Sequence, residues 1–215
     1  MTGTFAEADV LSHAAPFLPG CDVLRTHLPG NHCPPLITTS VGAFSAALRE
    51  AITQLFGARP IVVVGLSVGA LVALGLRHPN VRRIVAIEPP IFTRHLWPLA
   101  EGFGQMPLTE MQKNFVWQVL GFRGDQIEGR DYSALVAGLT TPTILMLGDE
   151  PLWPRRELSH LPSLVDDEAR ALLMSHPSIR TQVLPGVGHN IPRQAPMDFL
   201  RAMQQACAEA ASANP

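Results

Sequence analysis

The 215-residue sequence has little of what marks several large classes of protein. Lys and Arg number 16 against 18 Asp and Glu, and the basic residues are scattered along the chain. Because nucleic-acid binding uses a basic patch or stripe, we expect no nucleic-acid partner. No apolar stretch approaches the roughly 20 residues of a membrane-spanning helix, since even 61–76 is interrupted by glycine and serine, and we expect no membrane partner.

Cysteine is also scarce. Cys21, Cys33 and Cys207 are odd in number, and no basic segment followed by an apolar run marks a secretory signal, which favours a reducing, cytoplasmic setting. His27, His32 and Cys33 are metal-ligand types close together, but no second Cys/His pair stands at zinc-site spacing, so we expect no metal. The sequence has no G-x-x-x-x-G-K-[ST] loop to hold a phosphate, and we expect no cofactor.

What the sequence does contain is a regular alternation of strand and helix patterns. Its apolar runs of strand length are mostly continuous, as in strands buried on both faces, and segments with helical spacing separate them. The alternation predicts a single α/β domain over 1–215, a doubly wound, mainly parallel sheet of about five or six strands with helices on both faces. The strand candidates are 22–28, 61–66, 81–87, 143–148 and 179–184, and the helix candidates are 41–56, 67–79, 162–174 and 196–210.

Residues 89–140 interrupt this alternation. The segment contains no convincing strand and predicts one or two helices inserted between strands. An insertion there lies over the carboxyl ends of the strands, where open α/β sheets bind ligands, so it is a candidate lid; an apolar helix pair packed on the core would give the same pattern. The apolar side chains that favour a small hydrophobic substrate are Phe92, Leu96, Trp97, Met106, Met111, Phe115 and Trp117.

A serine stands between two glycines where the strand pattern at 61–66 gives way to a helix pattern. GLSVG matches G-x-S-x-G, in which the serine occupies a strained turn and exposes its hydroxyl at the end of the strand. A side chain in place of Gly65 or Gly69 would clash with the strand or the helix. Ser67 is therefore the candidate nucleophile, against the alternative of a glycine-containing turn with an incidental serine.

A serine hydroxyl needs a base to remove its proton, and the base needs a third group that fixes its tautomer. His189 follows the last predicted strand in a glycine-framed loop, VLPGVGHNIPRQAP, and is the candidate base. The histidines in helix-like or surface-like segments, where a solvated side chain is the default, are His13, His78, His95, His160 and His176.

These motifs resemble those of the α/β-hydrolase superfamily, in that family's order. GLSVGALVALGLRHPNVRRIVAIEPP resembles the serine elbow with its helix and next strand, RTHLPGNHCPP the D-L-P-G-H-G loop, PTILMLGDEPLWP the acid-bearing strand, and GVGHNIPRQAP the histidine loop. The resemblance implies a triad in the chain order serine, acid, histidine. It implies little about substrate, because the superfamily includes esterases, lactonases, thioesterases and acyltransferases.

The acid is the first departure from the family's pattern. Relatives usually carry Gly-x-x-Asp after this strand, and here Pro151 stands where that aspartate would fall. Asp149 is our first choice because it is closest to the strand end, and Glu150 is a neighbouring substitute. Glu88, in VAIEPP, is the third candidate because some family members carry the acid after the preceding strand; a glutamate there also occurs as a pocket-wall residue.

The second departure is at the start of the sequence, where the resemblance implies that the family's N-terminal strands are missing. Relatives have a strand ending in His-Gly, whose loop supplies half of the oxyanion hole, and MTGTFAEADVLSHAAPFLPG resembles the segment after it. The resemblance places the N–H of Thr4 or Phe5 beside that of Val68 as oxyanion donors. The apolar strand at 61–64 also needs a neighbour: residues 22–28, a strand from a partner chain in a homo-oligomer, or a segment missing from the N-terminus.

Taken together, the sequence predicts a carboxylesterase- or thioesterase-like serine hydrolase acting on a small-molecule acyl substrate. Ser67 would attack the acyl carbonyl, His189 would take its proton and Asp149 would orient the imidazole. The alternatives are a hydrolase-like binding protein that has lost catalysis and an acyltransferase on the same scaffold.

Overall fold

The computed structural model describes residues 1–212 and centres on a four-stranded parallel sheet. In chain order the strands are β1 (Ile61–Leu66), β2 (Val81–Ile87), β3 (Phe122–Arg123), β4 (Gln126–Ile127), β5 (Thr143–Gly148) and β6 (Ile179–Leu184). The parallel sheet has the order β1-β2-β5-β6, while β3 and β4 form a separate antiparallel hairpin. The α-helices are α1 (Val41–Phe56), α2 (Val68–Gly75), α3 (Trp97–Gln105), α4 (Glu110–Phe115), α5 (Ser133–Ala137), α6 (Asp167–Met174), α7 (Ile191–Gln194) and α8 (Pro196–Ser212).

Helices cover both faces of the parallel sheet. Val63, Ile84 and Leu145 belong to the apolar cluster that contains α1, α2 and α6. Val85 and Met146 belong to a second cluster, formed with α8. Neighbouring residues of one strand enter different clusters because successive side chains point to opposite faces. The predicted α/β class, with a mainly parallel sheet between helices, is confirmed. Among residues 1–212 we find no helix long and apolar enough to cross a membrane.

The predicted strand at 22–28 is wrong, and the parallel sheet has four strands rather than five or six. These residues run as irregular chain, in which Val23 and Leu24 are 38% and 63% exposed. A run of apolar residues makes a strand only where a ladder partner lies alongside it, and no such partner meets this run among the described residues. The other four predicted strands have the predicted bounds.

The outer edge of β1 therefore has little pairing. The N-terminal ammonium of Met1 donates to Val64 O at 2.8 Å, and Leu66 N–H donates to Met1 O at 3.1 Å. These two bonds make Met1 a parallel bridge partner of Gly65. Along a strand, the N–H and C=O groups of alternate residues point to the same side. Those of Val62 therefore point to the open edge of β1, as those of Val64 do. Residues 22–28 do not supply the neighbour considered for this edge.

Residues 89–140 contain more than the expected helices. A 3₁₀ turn at Thr93–His95 precedes α3, a π-helical turn at Val116–Leu120 continues α4, and the β3–β4 hairpin follows. The hairpin contradicts the expectation of no strand here. Its two-residue strands are too short to show an alternating pattern, although Gly124, with φ of 53°, is a typical hairpin-turn residue.

The two halves of this insertion differ in burial. Phe115 and Leu120 are fully buried and belong to the larger apolar cluster, whereas α3 has no fully buried residue. The end of α4 and the π-helical turn therefore pack as core. α3, the part of α4 before Phe115 and most of the hairpin lie nearer the surface.

Candidate active site

Ser67 joins β1 to α2 in a strained turn. Its φ of 57° and ψ of −123° form a combination that residues with side chains rarely adopt. Its N–H donates to Ile87 O at 2.8 Å, and its carbonyl accepts N–H bonds from Ala70 and Leu71. The neighbouring strand and the new helix thus hold the turn from both sides. Ser67 is 6% exposed, and its Oγ has no hydrogen-bond partner among residues 1–212.

The glycines on either side of Ser67 are required by two different backbone approaches. A Cβ at Gly65 would lie 2.2 Å from Gly69 O, which is the predicted clash between strand and helix. A Cβ at Gly69 would instead lie 2.8 Å from Met1 O and 2.7 Å from Thr2 O. The second glycine therefore makes room for the N-terminal segment rather than for β1.

The N-terminal loop passes directly against the serine. A Cβ on Gly3 would lie 2.9 Å from Ser67 Cβ and 3.3 Å from its Oγ. The buried Asn31 side chain holds this loop, since its Oδ1 accepts the N–H of Phe5 at 2.6 Å and its Nδ2 donates to Gly3 O at 3.2 Å. Phe5, which has φ of 58°, thereby loses its N–H as a free donor. The N–H of Thr4 has no acceptor among the described residues.

Val68 supplies the corresponding N–H on the other side of the serine. It is the first residue of α2, where the N–H groups of a helix have no acceptor inside the helix. No acceptor for it is found elsewhere in residues 1–212. The donors considered from sequence are thus reduced to Thr4 and Val68, because Phe5 N–H is already bound.

Glu88 is the carboxylate that meets His189. It follows β2, has φ of 51° and is completely buried. Its Oε2 lies 3.4 Å from His189 Nδ1, whose side chain is 12% exposed. The carboxylate also accepts the N–H groups of Gly148 and Leu164, each at 2.8 Å, and the hydroxyl of Ser163 at 2.8 and 3.0 Å. A buried carboxylate with this many donors is well satisfied as an anion.

Asp149 and Glu150 do not make the contact considered for them. Asp149 is exposed, and its Oδ1 accepts the N–H of Gly186 at 2.6 Å. Glu150 pairs with His160 and, at 3.4 Å, with Arg156. Neither carboxylate has a recorded hydrogen bond or ion pair with His189. Closeness to the end of β5 does not predict contact with His189, because β2 and β5 are adjacent strands and both end at this edge.

The strand order explains why these groups lie at one edge of the sheet. The carboxyl ends of parallel strands lie at one edge of a sheet, and Ser67, Glu88 and Gly148 directly follow or end β1, β2 and β5. His189 follows β6, and its N–H donates to Leu161 O at 2.9 Å. The sequence predicts these segments, but it predicts residues 162–164 as the start of a helix, whereas α6 begins at Asp167 and 161–164 belong to the loop before it.

The insertion covers part of this edge. The Phe5 ring lies 5.7 Å from Phe103 of α3 and 5.9 Å from Phe115, between ring centroids. Trp97 Nε1 donates to Leu152 O in the segment after β5 at 3.2 Å. α3 therefore bridges the N-terminal loop and the β5 loop.

A cavity of about 610 Å³ lies beside α3. Its lining includes Trp97, Arg155 and Leu161, but neither Ser67 nor His189. The apolar residues picked from sequence do not share it: Phe92 and Leu96 are core residues, and only Trp97 lines the cavity. The remaining members of that set include exposed methionines, Met106 and Met111.

His27 and His32 lie side by side near the N-terminal loop. Their ring centroids are 5.3 Å apart, and their nitrogens lie 3.8 and 3.3 Å from the Glu7 carboxylate. Within residues 1–212 we find no group of three or more His, Cys, Asp or Glu side chains placed to hold a metal ion.

Sequence comparison identifies the family. The profile of the Alpha/beta hydrolase family matches residues 4–203. The chain belongs to this family. No curated protein sequence matches the chain significantly.

Solved structures show the same alpha/beta hydrolase fold. MenH from S. aureus is similar with a TM-score of 0.65 and 12% identity, covering 98% of this chain and 92% of its own. A thermophilic esterase is similar with a TM-score of 0.64 and 18% identity, over 97% of this chain and 88% of its own. Est816, an N-acyl homoserine lactone degrading enzyme, is similar with a TM-score of 0.67 and 14% identity, over 95% of this chain and 90% of its own. At these identities the likeness concerns the fold.

The elbow glycines lead to a stability prediction. We expect Gly65→Ala to lower the free energy of unfolding by at least about 1–3 kcal/mol, because the new methyl overlaps the Gly69 backbone. Gly104→Ala on α3 is the matched control, since nothing lies within 4 Å of its Cβ position. That change should be neutral or stabilising by up to about 1 kcal/mol, the helix-propensity difference. Urea denaturation of both variants measures this; equal stabilities would show that the close approach does not exist.

A second prediction concerns Asn31. We expect Asn31→Ala to destabilise the fold by about 1–3 kcal/mol, because Phe5 N–H and Gly3 O lose their buried partner. Hydrogen exchange at the Phe5 amide should quicken at the same time. Asn114→Ala, the same change at an exposed site, should stay within about 0.5 kcal/mol of the parent. An unchanged Phe5 exchange rate in Asn31→Ala would contradict the role assigned to this side chain.

Proposed function

We propose that this alpha/beta hydrolase is a serine hydrolase of esterase or thioesterase type, with Ser67, His189 and Glu88 as its triad. The observation that carries the proposal is the Glu88–His189 pair at the strand ends beside the strained Ser67 turn. A triad acid holds the imidazole in one tautomer by accepting its Nδ1–H, which leaves Nε2 free to act as base. His189 Nε2 has no hydrogen-bond partner among residues 1–212.

The reaction follows from these positions. Ser67 Oγ attacks the acyl carbonyl while His189 Nε2 takes the hydroxyl proton and then gives it to the leaving group. Glu88 accepts the Nδ1–H and offsets the charge on the imidazolium. Water, deprotonated by the same imidazole, then releases the acid from the acyl-enzyme.

The N–H groups of Thr4 and Val68 serve as the oxyanion hole in this scheme. Each stands next to the serine and lacks an acceptor among the described residues. One such donor typically lowers the barrier by about 2.7–4 kcal/mol. Asn31 supports this role, because it takes the competing Phe5 N–H and fixes the loop that carries Thr4.

The geometry favours catalysis over a hydrolase-like binding protein. That alternative depended on the loss of the acid and of half the oxyanion hole. Glu88 supplies a carboxylate in contact with His189, and Gly3 carries the N-terminal loop against Ser67. Both grounds for the alternative are therefore weakened.

For the substrate we propose a small hydrophobic acyl compound beneath α3 as a lid. The Phe5 and Phe103 rings give the covered side of the site an apolar wall. Two of the similar structures are named as an esterase and as an N-acyl homoserine lactone degrading enzyme, and both names indicate acyl compounds as substrates of those proteins.

Hydrolysis of short p-nitrophenyl esters tests the proposed activity. We expect turnover by the parent protein and none above background by Ser67→Ala. The reason is that the oxyanion hole alone cannot form an acyl-enzyme. Turnover that survives Ser67→Ala would place the reaction elsewhere on the molecule, and no turnover by folded parent protein on any ester length would overturn the proposal.

The acid is tested by comparing Glu88→Gln with Asp149→Asn. We expect Glu88→Gln to lower kcat by roughly 10⁴-fold, because an amide cannot hold the imidazole in the required tautomer. Asp149→Asn should stay close to the parent value. Circular dichroism and a melting curve establish that each variant is folded. A folded Glu88→Gln protein with full activity, or a large loss from Asp149→Asn, would overturn the assignment.

A further inference from the structure

Three donors converge on Glu88, and they come from two separate segments. Gly148 N–H ends β5, while Ser163 Oγ–H and Leu164 N–H belong to the loop before α6. If either segment moved, the Glu88 carboxylate would lose hydrogen-bond donors and its orientation towards His189. Something must therefore hold the end of β5 and the 163–164 loop together.

Arg170, the fourth residue of α6, connects the end of β5 to the 163–164 loop. Its Nη2 donates to Gly148 O and, at 2.7 Å, to Ser163 Oγ, and its Nε donates to Val165 O at 2.9 Å. The guanidinium is a rigid planar fork, so the three bonds fix the relative positions of their acceptors. Arg170 itself makes no recorded bond with Glu88.

The bonds to Ser163 also fix the direction of its hydroxyl proton. A serine hydroxyl has one proton and two lone pairs. Both lone pairs of Ser163 Oγ face N–H donors, from Arg170 at 2.7 Å and from Val165 at 3.4 Å. The single proton therefore points at the Glu88 carboxylate, 2.8 and 3.0 Å away. Ser163 is completely buried, so no water competes for these positions.

We propose that Ser163 and Arg170 are positioning residues for the triad, in which Arg170 orients Ser163 and Ser163 orients Glu88 towards His189. This inference rests on the proposed function for its catalytic consequence, although not for its geometry. It extends the triad by two side chains that do not touch the substrate. Their effect should fall on kcat, with little change in KM, because they act on the step in which His189 moves the proton.

Ser163→Val and Ser163→Thr form the test, because the two side chains have the same shape and only threonine keeps the hydroxyl. We expect Ser163→Val to lower kcat for p-nitrophenyl acetate by about 10–100-fold, the usual range for groups that orient an active-site ligand through a hydrogen bond. Ser163→Thr should restore most of the rate. Both variants add one methyl group to Cβ, and they differ only in that valine replaces the hydroxyl with a second methyl.

Arg170→Lys and Arg170→Met separate charge from geometry at the second position. Lysine keeps the positive charge, but its three N–H donors lie on a single nitrogen and cannot reproduce the planar fork that spans Nε and Nη2. We expect both variants to lose kcat to a similar extent. Parent-like activity in Arg170→Met would overturn the role of Arg170.

A spectroscopic readout keeps the inference separate from the proposed activity. The downfield proton resonance of His189 Nδ1–H, assigned with ¹⁵N-histidine and Glu88→Gln, reports the bond to Glu88 without any substrate. It should be present in the parent and in Ser163→Thr and be lost or shifted in Ser163→Val. If the parent hydrolyses no ester, the proposed function fails and this resonance still decides the inference. Identical spectra and rates for the valine and threonine variants would overturn it.

Discussion

The fully buried carboxylate of Glu88 needs hydrogen-bond donors on both oxygens, and several separate segments of the chain supply them. An unpaired charge in the interior is strongly destabilising, so each oxygen needs hydrogen-bond donors. Here the donors come from the end of β5, from the loop before α6 and from the histidine loop after β6. Donors from these separate segments can reach one carboxylate because the carboxyl ends of the parallel strands all lie at the same edge of the sheet. The contact between Glu88 and His189, on which the proposed triad depends, is thus one of several that satisfy this buried carboxylate.

The opposite side of the serine depends on close backbone contact rather than on charge. Gly3, Gly65 and Gly69 each occupy positions where a Cβ would overlap another part of the chain. The N-terminal loop can approach Ser67 because Gly3 and Gly69 have no side chains, and Gly65 leaves room for the start of α2. Asn31 then supplies an acceptor for Phe5 N–H and a donor to Gly3 O. Backbone packing sets the distance between the N-terminal loop and Ser67, and the buried side-chain amide of Asn31 sets the orientation of the loop.

Much of the fold could be predicted from local sequence, and the failures have physical causes. Four strands followed from continuous apolar runs, and the strand–serine–helix turn followed from GLSVG. The run at 22–28 has the same local character, but strand formation needs a neighbour that local pattern does not reveal. Asp149 was preferred to Glu88 by sequence distance, whereas contact with His189 depends on which strands are adjacent. Ser163 and Arg170 carry no motif, so only the folded arrangement identifies them.

The separation of the site residues along the chain has a consequence for folding kinetics. Ser67, Glu88 and His189 belong to strand ends that enter the sheet in sequence order, and contacts between such distant segments form slowly. A partly folded chain in which β6 has not yet joined would contain the strained serine turn without His189, the proposed base. Recovery of function after dilution from denaturant would therefore follow the last strand to dock, and would lag behind the return of helical signal.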